Sequence, residues 1–157
     1  MLVITPHVRA AIEEQARSSY PEECCGLLIG RIEAERRVAL EVWPVVNAWD
    51  ATVALSADEA AHSKRDRFYI APGEYLRAQR AAARRDLEIV GCYHSHPDDR
   101  AWPSERDRVG ASGVGGGPHF SFVIVSVING QPDAIASATL SSDGARWLAE
   151  ELRIQEA

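Results

Sequence analysis

The densest run of reactive side chains lies between Cys92 and Asp107: Cys-Tyr-His-Ser-His-Pro-Asp-Asp-Arg-Ala-Trp-Pro-Ser-Glu-Arg-Asp. Side chains alternate faces along a β-strand, so a strand through this point would project His94 and His96 together, with Cα atoms roughly 6–7 Å apart. Two imidazoles so placed can converge on one metal ion. Pro97 would close the strand, and Asp107, in the first turn of a helix opened by Ser104, can swing back toward both histidines. Two His and one Asp leave the fourth tetrahedral position to water, which is the arrangement of a catalytic zinc and not of a closed structural one. Taken singly, each piece has a plainer explanation: strand histidines decorate surfaces, and Ser-x-x-Asp also marks an ordinary helix N-terminus. Only the conjunction argues for a metal.

Hydrolysis at such a centre needs a group that takes a proton from water and hands one to the leaving amine. The sequence Pro21-Glu22-Glu23-Cys24-Cys25-Gly26 offers two carboxylates just ahead of an apolar run. Glu23 shares strand parity with Cys25, whereas Glu22 would point the other way if the strand reached back that far. Cys25 lies in the apolar run and Cys92 shares the face of the two histidines, so both thiols read as packing near the site and not as nucleophiles.

Glu23 ahead of Cys25-Gly26, then His94-Ser95-His96-Pro97, then Ser104-x-x-Asp107, resembles the JAMM (MPN-plus) metalloprotease motif. The likeness extends to the P-x-E-x-C-G-L-L-x-G segment after the first helix, the Phe-Tyr-Ile-Ala-Pro lead into the second, and the strand around 122–127, covering roughly residues 2–140 of a short bacterial type. The resemblance implies one catalytic Zn2+ held by His94, His96 and Asp107, with Glu23 as acid/base and Ser104 as a hydrogen-bonding residue that stabilises the tetrahedral oxyanion. It implies an α/β fold, a mixed central β-sheet flanked by helices as in cytidine deaminases. A deaminase itself is disfavoured, because the H-x-E and P-C-x-x-C signatures of that chemistry are missing. The activity implied is amide or isopeptide hydrolysis at the C-terminus of a small ubiquitin-like or sulfur-carrier protein, for instance release of cysteine from a carrier's terminal glycine. Two alternatives stand beside it: an isopeptidase that removes a ubiquitin-like modifier from lysines, and a non-catalytic MPN scaffold, against which the full set of ligands and the glutamate argues.

The elements that must position these groups follow from pattern. Thr5-Pro6 reads as a helix start, with Val8, Ala11, Ile12 and Ala16 on one face of a helix over 6–18. Strands are expected at 2–4, 25–30, 38–46, 68–70, 87–94, 119–128 and 134–140, and a second helix at 72–85. Ser56 and Glu59 have capping-box spacing, which suggests a short helix inside the long connection 47–67, a candidate flap or insertion. Asn129-Gly130 and Ser142-Asp143-Gly144 read as turns. The tail 145–154 fits helix and hairpin strand equally. Gly113, Gly115, Gly116 and Gly117 lack the strand-before, helix-after context of a phosphate loop and are expected to form a mobile loop at the edge of a substrate cleft.

At 157 residues the chain is the size of a single domain, 1–157. Its 46% hydrophobic and 25% charged content suits a globular core and excludes disordered, collagen-like and coiled-coil classes. A formal net charge of -6 disfavours a general nucleic-acid surface. No apolar run approaches the span of a bilayer, and no signal-peptide pattern opens the sequence, so a soluble cytoplasmic protein without nucleic-acid or membrane partners is expected. Three cysteines, two of them adjacent, make a poor disulfide framework and fit a reducing compartment. Arg77, Arg80 and Arg84 form a positive stripe at helical spacing, a solvated face by default and otherwise a dock for an acidic carrier.

Overall fold

The computed structural model describes residues 1–112 and 119–156. The element order is β1 (Leu2–Ile4), α1 (Pro6–Ser19), β2 (Cys25–Glu33), β3 (Arg36–Val45), α2 (Pro72–Ala83), β4 (Glu88–Pro97), α3 (Glu105–Ser112), β5 (Ser121–Ile128), β6 (Gln131–Leu140), β7 (Trp147–Glu150) and β8 (Leu152–Ile154). The strands make one mixed sheet in the order β7-β6-β5-β4-β2-β3-β1-β8. β4 runs parallel to β5 and antiparallel to β2, so the strand that carries both histidines is interior.

Strand parity sorts the apolar residues into two cores. Leu28, Tyr93, Val123, Val125 and Val127 pack with Val8, Ile12 and Ala16 of α1 on one face. Leu27, Ile29, Cys92, Phe122 and Ile124 pack with Ala78 and Ala82 of α2 and Ala111 of α3 on the other. α1 begins as its sequence dictates, with the Thr5 hydroxyl accepting from Val8 N at 3.1 Å and Pro6 at the first helical position. Gly26 leaves room for Tyr93: a Cβ there would sit 2.3 Å from the Tyr93 hydroxyl oxygen. Asn129 and Gly130, both at positive φ (51° and 80°), make the tight turn between β5 and β6.

The tail 145–154 forms strands, not a helix. β7 pairs with β6 at one edge of the sheet and β8 with β1 at the other, with only Glu151 between them. One short segment therefore pairs with both β6 and β1. The buried Glu150 carboxylate fixes the junction, meeting Arg37 of β3 and the Ser137 hydroxyl of β6.

Residues 68–70 do not form the expected strand: Tyr69 N donates to the Asn47 side chain and Tyr69 O accepts from Ala48 N. The expected short helix in 47–67 appears as two single turns, Ala51–Val53 and Glu59–Ala61. The expected glycine-rich loop at 113–117 lies outside the described residues. No helix among the described residues is long and apolar enough to cross a membrane.

Candidate metal centre and active site

β4 presents His94 and His96 on the face covered by α2 and α3, both side chains buried. The chain turns back after Pro97 through Asp98, whose backbone N donates to Val127 O at 2.7 Å. The Asp98 carboxylate accepts from the Tyr20 hydroxyl and from Asn129 N, each at 2.8 Å. With the turn tied down at both sides, α3 starts over the histidines. Trp147 Nε1 donates to Ser104 O at 2.9 Å and Arg108 to Gly144 O at 2.8 Å, mooring the helix to the β6–β7 turn.

Asp107, in the first turn of α3, thus places Oδ2 3.4 Å from His94 Nε2 and 3.3 Å from His96 Nε2, while the two Nε2 atoms are 3.0 Å apart. Tetrahedral zinc with bonds of about 2.0–2.1 Å has ligand-to-ligand edges of about 3.3–3.4 Å, so the triangle has the right size for that ion. His96 Nδ1 lies 2.9 Å from Arg100 O. A carbonyl can only accept, so Nδ1 carries the proton and Nε2 keeps its lone pair for a metal. His94 stacks on Phe68 with ring centroids 4.4 Å apart, and its buried Nδ1 has no hydrogen-bond partner.

The electrostatics suit cation binding. Burial works against ionised Asp107, but the two imidazoles and the hydrogen bond from Ser104 N hold its carboxyl far below the usual carboxylate range. Burial lowers the pKa of His94, whereas Asp107 outweighs burial at His96 and raises it. The result is an anion facing two nitrogen donors, a donor set suited to zinc.

Of the two competing glutamates, Glu22 is exposed and Glu23 is buried. Cys25 lies opposite His94 in the β2–β4 register, and Cys24 N donates to Ser95 Oγ at 2.8 Å while Ser95 N donates to Cys24 O at 3.1 Å. Continuing that register sets Glu23 across from His96. Burial, reinforced by the charges of Asp107 and Asp66, pushes its carboxyl up to about 9, and Oε2 has no hydrogen-bond partner. Burial and the neighbouring anions thus favour the protonated form of this carboxyl.

Ser104 and Asp107 bond reciprocally. The Ser104 hydroxyl and backbone N both donate to Asp107 Oδ2, at 2.8 and 2.6 Å, and Asp107 N donates back to Ser104 Oγ at 3.1 Å. Here Ser104 orients the carboxylate. Cys25 and Cys92 are buried, and burial pushes the Cys92 thiol up to about 12, which suits the packing role expected of both.

Several contributors carried no signal in the motif. Asn47 donates to Glu23 O and Arg67 O, at 3.1 and 2.9 Å, and so fixes the backbone of the glutamate. Buried Glu59 accepts from Arg67 at 3.1 Å and from Arg106, which ties the 47–67 excursion to α3. The local capping bond expected of Ser56 and Glu59 forms, with Glu59 N donating to Ser56 Oγ at 3.2 Å, and the carboxylate adds a tertiary role to it. Beside His94 and Asp107 opens a cavity of about 550 Å3.

This sheet, with two histidines on an interior strand and an aspartate brought to them by the following helix, defines a JAMM/MPN-type domain. The chain belongs to the prokaryotic homologs of the JAB domain, whose family model matches residues 5–141. That family includes metallo-isopeptidases, and JAMM-type domains bind zinc. A solution structure of a protein from Desulfitobacterium hafniense superposes with a TM-score of 0.76 at 26% identity, covering 100% of this chain and 94% of that one. Another, from Salinibacter ruber, gives 0.69 at 28% identity, covering 98% and 91%. The Tail tip assembly protein K of Escherichia phage N15 is 34% identical over 98 residues, which are 62% of this chain. The matched part spans only 31% of that phage protein.

Proposed function

We propose that the chain is a zinc-dependent metallopeptidase that hydrolyses an amide or isopeptide bond at the C-terminus of a small ubiquitin-like or sulfur-carrier protein. One observation carries the reading: three donor atoms of zinc-compatible chemistry and spacing, 3.0 to 3.4 Å apart, share a site with a buried carboxyl whose Oε2 has no hydrogen-bond partner. Family membership supports it.

His94, His96 and Asp107 would hold the ion. Zinc held there would supply Lewis acidity, acidifying a water and polarising the substrate carbonyl. Glu23, as carboxylate, takes the proton of the attacking water at Oε2 and, as acid, returns it to the leaving amine. Burial favours the protonated form and so makes the Glu23 carboxylate the stronger base in the first of these transfers. Arg100 O keeps His96 in the tautomer that presents Nε2, and Ser95 and Asn47 hold the Glu23 backbone in place. Ser104 orients Asp107, and to stabilise an oxyanion its hydroxyl must exchange Asp107 for the substrate oxygen.

Residues 47–67 wall one side of the cavity and serve as the flap. Arg77, Arg80 and Arg84 are exposed and would dock an acidic carrier, although Arg77 already pairs with Glu74. The test is metal analysis of the purified protein, followed by parallel assays on a carrier–cysteine adduct and a lysine isopeptide. Zinc-dependent cleavage of the adduct supports the carrier reading, and cleavage of the isopeptide alone supports the modifier-removing alternative. A non-catalytic assembly role is the second reading, favoured by the name of the phage relative. Metal-loaded protein inert on both amides would favour it.

A further inference from the structure

The cavity beside His94 and Asp107 is larger and more apolar than the proposed reaction on a glycine tail requires. Leu27, Leu55, Phe68, Tyr75, Cys92 and Phe122 are among the residues that line its volume of about 550 Å3. The charged groups on the lining are already paired: Arg67 and Arg106 with Glu59, Asp66 with His62, and Asp107 with the two histidines. What faces the interior is mainly hydrocarbon and aromatic ring. Water filling such a space meets mostly apolar wall, and a glycine has no side chain to displace it. A cavity of this size can bury a large apolar group, the default occupant of a concave, apolar site with a few polar atoms at one end.

We propose that this cavity is a specificity pocket for a bulky apolar side chain, aromatic or long aliphatic, on a residue flanking the scissile amide. The proposal rests on the hydrolase reading and narrows its substrate class: on one side of the cut bond the substrate carries a Phe- or Leu-like group. The geometry requires this adjacency. Two of the three metal-site residues line the cavity, so atoms next to a carbonyl reacting there reach its mouth. Burying a side chain of that size against these walls gives a preference over glycine of roughly tenfold or more.

The experiment has a binding arm and a turnover arm. Zinc-free protein is titrated with N-acetyl-phenylalanine amide, N-acetyl-leucine amide and N-acetyl-glycine amide, followed by NMR shifts. The first two bind at least tenfold more tightly than the third, and Leu55→Asp abolishes the difference. Leu55 is 61% exposed, so the charge is introduced without disturbing the core. Tyr75→Ala, on another wall, weakens the same two ligands. Equal or absent binding of all three amides overturns the pocket. Turnover is then measured with zinc on amides carrying Phe, Leu or Gly on either side of the scissile bond. Higher kcat/KM for Phe and Leu on one side, lost in Leu55→Asp, supports the pocket, and equal rates on both sides overturn it while leaving the hydrolase reading intact. Selective binding with no turnover of any amide keeps the pocket and overturns the hydrolase.

Discussion

The buried Glu59 carboxylate is hydrogen-bonded by Arg106, the residue just before Asp107 in the chain, so the long 47–67 excursion is fastened to the helix that aims the aspartate. The same carboxylate accepts from Arg67 and, at 2.7 Å, from Leu55 N. Loop and metal-site helix share one buried anion.

Glu59→Ala leaves two guanidinium groups and a backbone N–H without that partner. The expected loss is about 1–3 kcal/mol, within the range for buried polar groups left unsatisfied and below the cost for a fully buried ion pair, since both arginines reach partly to solvent. It appears as a lowered Tm and as faster proteolytic cutting within 47–67, with the His94, His96 and Asp107 side chains untouched. An unchanged Tm and cutting pattern would show that the bridge does not hold the loop.

Glu23→Gln keeps the shape of the buried side chain and removes its titration. Metal content should stay at the parent level while turnover falls by about 10²–10⁴, the usual contribution of a positioned general acid–base. Parent-rate cleavage by the purified variant would remove Glu23 from the mechanism.

The same variant tests the buried carboxyl through stability. A folded-state pKa near 9 against an ordinary carboxylate value in the unfolded chain means that the native state binds the extra proton. Stability of the metal-free parent therefore falls as pH rises from about 5 to 9, with a slope approaching 1.4 kcal/mol per pH unit from this group. His96, raised, acts in the same direction near neutrality and His94, lowered, in the opposite one, so the informative quantity is the difference between parent and Glu23→Gln in denaturant melts across that range. Parallel pH profiles for the two proteins would mean that Glu23 titrates normally.

Ser95→Ala strips the Cys24 backbone N of its 2.8 Å acceptor. Ser95 faces away from the two histidines, so zinc should remain bound while stability drops by about 1–3 kcal/mol and turnover falls, because the segment that positions Glu23 loosens. A decrease in kcat with unchanged zinc content is the signature of positioning, and unchanged kcat would mean that the remaining ties of Glu23 suffice. Those ties are Asn47 on its carbonyl and Lys64 O, which accepts from its N–H at 2.7 Å.

The sequence disclosed what depends on local periodicity and left out what depends on meeting across the fold. Alternation along β4 was enough to place His94 and His96 on one face, and parity with Cys25 favoured Glu23 over Glu22, even though Glu23 precedes the first residue of β2. The capped start of α1 and the Asn129-Gly130 turn are written in neighbouring residues. The tail 145–154 fits helix and strand equally by local pattern because its conformation is decided by two partner strands, β6 and β1. Residues 68–70 have strand-like composition but find an asparagine side chain where a strand would need a ladder. The Glu59 bridge joins residues 47 positions apart, and no spacing rule reaches that far.

Asp107 is where metal, fold and helix cap meet, so its removal separates them. Zinc that binds only the native state stabilises by about 2.7 kcal/mol at a hundredfold excess over its dissociation constant, which raises Tm by a few degrees. Asp107→Ala should abolish that zinc-dependent shift and the metal content together, since the two imidazoles alone lack the anionic donor. Ser104→Ala leaves the carboxylate but removes the hydroxyl donor to Oδ2, and should weaken zinc binding by about 10–100-fold while keeping a residual thermal shift at higher zinc. The ordering parent, Ser104→Ala, Asp107→Ala in zinc-dependent Tm is the expected result, read with and without chelator. A full shift in Asp107→Ala would exclude Asp107 from the ligand set, and one undiminished in Ser104→Ala would show that the aspartate is oriented by the histidines and not by its cap.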